Sequence, residues 1–218
     1  NTNLAKQKYS DGSTSFKYAD SIDLGYIDSL DFKVNGENVK WQFLNEQIDI
    51  SELRLTKPLK PGDSIIITTP FRVKIPSGKF SRLGHIGQSY QITQWFAKPA
   101  VFDKNGWHPM SYLDQGEFYS EYGNYDVSIT IPKNYVLMAT GDLQNKEEIN
   151  FLNKKAIETQ KLIDKNQLPI RNSSGYRDLS FPKSSKETKT LRFIQKNVHD
   201  FGWFADKRYH VLKGSIKL

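Results

Sequence analysis

Between Tyr125 and Ile131, Tyr125, Val127, Ile129 and Ile131 alternate with Asp126, Ser128 and Thr130. This period of two predicts a strand with one buried face, and Pro132-Lys133-Asn134 turns it into a second strand over Tyr135 to Thr140. Upstream, Leu30 to Val34 and Val39 to Phe43 flank Asn35-Gly36, a pair suited to the positive φ angles of a tight hairpin turn, with Glu37-Asn38 available to lengthen the loop. A turn over Pro58 to Gly62 leads into an extended run from Ser64 to Ile75, rich in β-branched residues, in which Pro70 marks an edge or a bulge. Alternation resumes over Thr190 to Lys196 and Tyr209 to Lys217.

One segment departs from this rhythm. From Lys146 to Asn166, Ile149, Leu152, Ala156 and Ile163 recur at helical spacing, with Glu147 and Glu148 at the start and Lys165 near the end. The pattern predicts a surface helix. Arg171 to Lys189, rich in Ser, Lys and Pro, reads as an exposed loop, so helix and loop together form an insertion over about 146–189. The fold class expected is mostly β, largely antiparallel, with one inserted surface helix.

Composition narrows the options. A length of 218 residues suits one large domain or two small ones, and 37% hydrophobic residues provide enough apolar area for a core. The formal charge of +7 and pI near 9.3 would suit a polyanion only if the lysines formed a stripe. They are interleaved with Asp and Glu, so nucleic-acid binding is not expected. Cysteine is absent, which excludes disulfides and thiolate metal sites. No run is long and apolar enough for a spanning helix, and Asn1 to Ser10 lack an apolar export core, so no membrane insertion is expected.

A zinc hydrolase needs imidazoles and a carboxylate converging on the metal, typically two histidines one helical turn apart. His85, His108, His199 and His210 show no such spacing and are expected to be structural. There is no serine elbow and no glycine-rich phosphate loop. Asp114, Glu117 and Glu121 form an acidic cluster near a turn, where solvation or pairing with lysine is the expected role. The stretch between Gln88 and Tyr125 is dense in Trp, Tyr and Phe, which are expected to fill the core of a β domain, with a ligand groove as the alternative.

The run from Trp95 to Leu143, WFAKPAVFDKNGWHPMSYLDQGEFYSEYGNYDVSITIPKNYVLMATGDL, resembles the N-terminal domain of aminopeptidase N-like (gluzincin) zinc metallopeptidases of the bacterial branch. LKPGDSIIITTPFRVKIP (Leu59 to Pro76) and NVHDFGWFAD (Asn197 to Asp206) are similar to further segments of that domain. The resemblance implies a saddle-shaped, largely antiparallel β-sheet or sandwich domain spanning 1–218. In the family this domain precedes a thermolysin-like catalytic domain and covers one side of its active site. The zinc-binding H-E-x-x-H motif and the Gly-x-Met-Glu-Asn motif of that catalytic domain do not occur in the sequence, so the resemblance implies a truncated fragment: no enzyme and no cofactor by itself, with zinc in the parent hydrolase. Its implied partners are its own C-terminal catalytic domain and a peptide substrate, and its implied location is the periplasm or cell envelope of a bacterium. The family's amine-binding Gln or Glu maps to Thr93-Gln94-Trp95-Phe96, where Gln94 matches the first Gln but the amine-binding position falls on Phe96. Gln94, Trp95 and Phe96 are therefore the candidate substrate-binding residues. A stand-alone carbohydrate- or protein-binding β module is the competing expectation.

Overall fold

The computed structural model describes residues 2–45, 47–113, 118–168 and 180–215. The chain divides into two compact units, one of Asn1–Gly84 with Trp95–Glu121 and one of His85–Gln94 with Tyr122–Leu218. The fold is mostly β, as the alternation predicts.

In the first unit, helix α1 (Asn3–Ser10) precedes strands β1 (Tyr26–Asp28), β2 (Lys33–Val34), β3 (Glu37–Asn38), β4 (Lys40–Leu44), β5 (Gln47–Arg54), β6 (Ile67–Thr68) and β7 (Arg72–Lys74). Helix α1 has no buried residue, so no apolar stripe announces it; the Thr2 hydroxyl caps it by accepting from Ala5 N–H at 3.2 Å. Asn35 and Gly36 take φ of 51° and 86°, the two positive values of a tight primed turn. That turn pairs Val34 with Glu37, so β3 ends at Asn38. Val39 continues that hairpin by donating to Phe32 O at 3.4 Å, but Lys40 onward, expected to follow it alongside Leu30 to Val34, pairs instead through β4 with β5, the next strand along the chain. The run from Ser64 to Ile75 is broken at Pro70 into β6 and β7, which join different sheets, because proline cannot donate to a ladder.

The second unit holds β8 (Gly84–Ile86), β9 (Ser89–Ile92), β12 (Gly123–Pro132), β13 (Val136–Ala139), β14 (Asp142–Leu143), α2 (Lys146–Asp164), β15 (Thr188–Val198) and β16 (Trp203–Asp206). Two sheets form, ordered β12-β15-β14 and β13-β16-β9-β8. Ile92, Ile129, Ile131, Val136, Leu137, Leu191, Phe193 and Phe201 supply its core. The remaining hairpin, β10 (Val101–Asp103) with β11 (Gly106–His108), belongs to the first unit. Among the described residues, the pairings β1–β7, β2–β3, β2–β6, β4–β5, β9–β16, β10–β11, β12–β15, β13–β16 and β14–β15 are all antiparallel. Tyr209 to Ser215 form no strand, and the last two residues of the strand expected over Tyr209 to Lys217 lie outside the described residues.

Helix α2 starts where the sequence places it, and Leu152 and Ala156 of the expected stripe are half-buried, but its most buried positions are not those of the stripe. Glu148 and Thr159 are buried, whereas Ile149, Ile157 and Ile163 are exposed. The cause is a distant partner: Lys189 of β15 donates to Glu148 Oε1 at 2.7 Å and to Tyr135 O at 2.7 Å, with its ammonium 4.4 Å from the centre of the Phe151 ring. Asn145, the residue before α2, does not cap the helix; its carboxamide accepts from Arg192 N–H at 2.8 Å and donates to Thr190 O at 3.2 Å, acting as one more rung beside β15.

The approach to β15 is clamped. Asn134 donates to Lys183 O and accepts from Ser185 N–H, both at 2.9 Å. Lys207 donates to Pro182 O and Gln88 Oε1, and the Arg208 guanidinium lies 3.7 Å from the centre of the Phe181 ring. That ring fills a notch at Gly87, where a Cβ would lie 2.5 Å from Phe181 Cε2.

Candidate functional site

Strands β9 and β16 place Ile92 opposite Trp203, and the chain leaves the sheet through Thr93 and Gln94. Gln94 has φ of 53°. The left-handed region costs an L side chain other than Asn, Asp or Gly about 1–2 kcal/mol, and such residues cluster at functional sites. Three polar atoms at this end of the sheet are enclosed and have no hydrogen-bond partner among the described residues: Thr93 Oγ1, Gln94 Oε1 and Trp203 Nε1. They comprise a hydroxyl, an acceptor and a donor. Leaving such a group buried and unpaired costs about 1–3 kcal/mol each.

The other two candidate residues open the next segment of the first unit. Trp95 packs on Phe71 with ring centroids 5.9 Å apart and on Phe96 at 5.2 Å. The Lys98 ammonium lies 5.8 Å from the Phe96 centroid and 5.1 Å from that of Phe118. Phe96 thus faces a cation of its own chain.

Sequence reasoning assigned no role to the hairpin β10–β11, although its Asp103-Lys104-Asn105-Gly106 turn is legible. Asp103 Oδ1 lies 2.8 Å from His108 Nε2 and accepts from Asn105 N–H at 2.8 Å, while Oδ2 accepts from Tyr119 Oη–H at 3.4 Å. The His108 hydrogen bond, then that from Asn105, holds the Asp103 carboxyl below the usual carboxylate range. Burial, then the neighbouring Asp103 charge, raises Tyr119. The opposite face presents Phe102 and Trp107, 64% and 67% exposed, with ring centroids 5.0 Å apart. None of the described aromatic residues between Gln88 and Tyr125 is fully buried. The expectation that they fill the core is not met: Phe102, Trp107, Tyr119 and Tyr122 are exposed and the others half-buried, because strands of three or four residues cannot cover both faces of their rings.

His85 Nδ1 stands 3.0 Å from Gly87 O, and His199 packs edge-on against Tyr122 at 5.8 Å. Among the described residues no group of three or more His, Cys, Asp or Glu is placed to hold a metal ion. Asp114 and Glu117 lie outside the described residues, and Glu121 is exposed. No described helix is long and apolar enough to cross a membrane. Compared with models of known families, with curated proteins and with solved structures, the chain matches none of them.

Proposed function

We propose that this chain is the non-catalytic β domain that precedes and covers the zinc site of a bacterial metallo-aminopeptidase, and that it helps to bind the free amino terminus of a peptide. The observation that carries the reading is Gln94: within the segment that resembles the family's amine-binding motif, a carboxamide oxygen is enclosed on a backbone of positive φ without a partner among the described residues. An ammonium is the ligand such an acceptor favours, since hydrogen bonds to charged groups contribute about 1.5–3 kcal/mol against about 1 for neutral pairs. In this reading the chemistry, the zinc and the first-side-chain pocket belong to the catalytic domain. The location is the periplasm or cell envelope.

The test is kinetic, in a protein carrying this chain together with its catalytic domain. Gln94→Ala should raise KM for peptides with a free amino terminus about tenfold or more, and should not affect amino-blocked analogues. Phe96→Ala should change KM less. Equal kinetics for wild type and Gln94→Ala would defeat the reading.

A second reading, a carbohydrate- or protein-binding β module, draws on the exposed Phe102–Trp107 pair, since ring faces open to solvent suit stacking on a sugar. Affinity electrophoresis through polysaccharide gels separates the two: retardation abolished by Trp107→Ala supports the module, and unretarded migration of the wild type removes it.

A further inference from the structure

The two long strands of the second unit differ in their flanks. Strand β15 has β12 on one side, while on the other it has β14, then Gln144, whose N–H donates to Arg192 O at 2.9 Å, and then the Asn145 carboxamide. Strand β12 is the outermost strand of its sheet. Among the described residues, no main-chain N–H or C=O from Asp126 to Ile131 has a hydrogen bond beyond the ladder with β15. Alternate residues of an antiparallel strand turn both groups away from the partner. Half of this stretch therefore presents a bare donor and acceptor to one side, whichever set points outward.

Exposed edges are usually blunted by charge, proline or a bulge. Here a bulge between Gly123 and Tyr125 and Pro132 at the far end bracket the stretch rather than interrupt it. The one charged residue inside it, Asp126, is matched by Arg192 of β15, with Arg192 Nε 2.7 Å from Oδ1 and Nη2 2.5 Å from Oδ2. No unmatched charge remains to repel another strand.

The stretch also complements itself. A second β12 laid antiparallel, with Ser128 opposite Ser128, sets Val127 against Ile129 and Asp126 against Thr130. Opposed residues then belong to the same alternating set, so outward groups of one strand meet outward groups of the other. No like charges face each other, and β-branched residues continue the buried face across the join.

We propose that the free edge of β12 pairs antiparallel with β12 of a second copy of this chain, extending the sheet across a two-fold axis at Ser128. The inference does not depend on the functional reading above. A strand pair of this length makes a weak, concentration-dependent dimer, smaller than a standard interface.

Sedimentation equilibrium on the 218-residue chain tests it. Wild type should show a reversible monomer–dimer equilibrium. Ser128 is exposed, so a charge there leaves the core untouched. Ser128→Lys and Ser128→Glu should each weaken association about fivefold by setting like charges across the axis, and an equimolar mixture of the two should recover it. Circular dichroism matching the wild type shows that the variants fold. Independently, outward amides between Asp126 and Ile131 should gain protection from hydrogen exchange as protein concentration rises. A wild type that stays monomeric at its highest soluble concentration, a Ser128→Lys variant that dimerises unchanged, or edge amides protected only on adding an unrelated extended peptide would each overturn the proposal.

Discussion

Two regions of the second unit bury polar atoms and treat them in opposite ways. At the junction of α2 with β15, Glu148 and Lys189 retain 5% and 12% side-chain exposure, and the ammonium meets a carboxylate, a carbonyl and an aromatic face. At the end of the β9–β16 sheet, Thr93, Gln94 and Trp203 bury a hydroxyl, an acceptor and a donor with no partner among the described residues. Both burials cost desolvation, yet only the first is compensated by those residues. A completed set fixes a helix on a sheet; an incomplete one, on a backbone held at positive φ, is a place where stability has been given up.

The largest expected effect breaks the completed set. Lys189→Met leaves Glu148 buried and uncompensated and should cost about 3–5 kcal/mol in urea unfolding, whereas Glu148→Leu combined with Lys189→Met should return close to wild type. Additive losses in the double variant would place the cost in packing instead. At the incomplete set the sign reverses: Gln94→Gly relieves the left-handed backbone and removes an unpaired acceptor, so stability should rise by about 0.5–1 kcal/mol. A loss of similar size would make Gln94 a structural residue and weaken the contrast. Trp203→Phe removes an unpaired donor while keeping most of the ring, and its unfolding midpoint should move little, within about 0.5 kcal/mol.

The smallest effect belongs to partnered carboxylates that are half-buried, as Asp28 and Asp103 are, or exposed, as Asp126 is. Asp103, Asp28 and Asp126 are held below the usual range chiefly by hydrogen bonds from His108, Arg72 and Arg192. A lowered folded value means that their contribution is full above the unfolded pKa of about 3.9 and is lost as pH falls through the folded value. For the hairpin, Trp107 fluorescence should report a loosening only below about pH 4, and Asp103→Asn should remove that transition. A transition unchanged in Asp103→Asn would assign it to another group.

Strands with one buried face were legible because their period is local: Tyr125 to Ile131 and Thr190 to Lys196 fall inside β12 and β15. The start of α2 was legible for the same reason, through its acidic first turn. Its most buried positions were not, because Glu148 is buried by Lys189, a residue on a strand far along the chain, while isoleucines that fit a local stripe point outward. Likewise Val39 to Phe43 carry a strand pattern without naming their partner. The candidate site divides in the same way. Motif resemblance singled out Gln94, but neither its positive φ nor the enclosed Trp203 Nε1 leaves a mark in composition or spacing, since both arise where β9 meets β16.

The clamp formed by Asn134, Phe181 and Gly87 bears on how freely this chain can change length. It grips the backbone over Phe181 to Ser185, just ahead of the first rung of β15, Pro132 opposite Thr188. A change of chain length ahead of Ser180 should therefore leave the alignment of β15 with β12 in place, because the clamp fixes the strand's approach. A one-residue slip would turn every side chain of β15 to the wrong face. An engineer attaching a label ahead of Ser180 should therefore keep Gly87 and Phe181 as a pair, since their fit holds the start of β15.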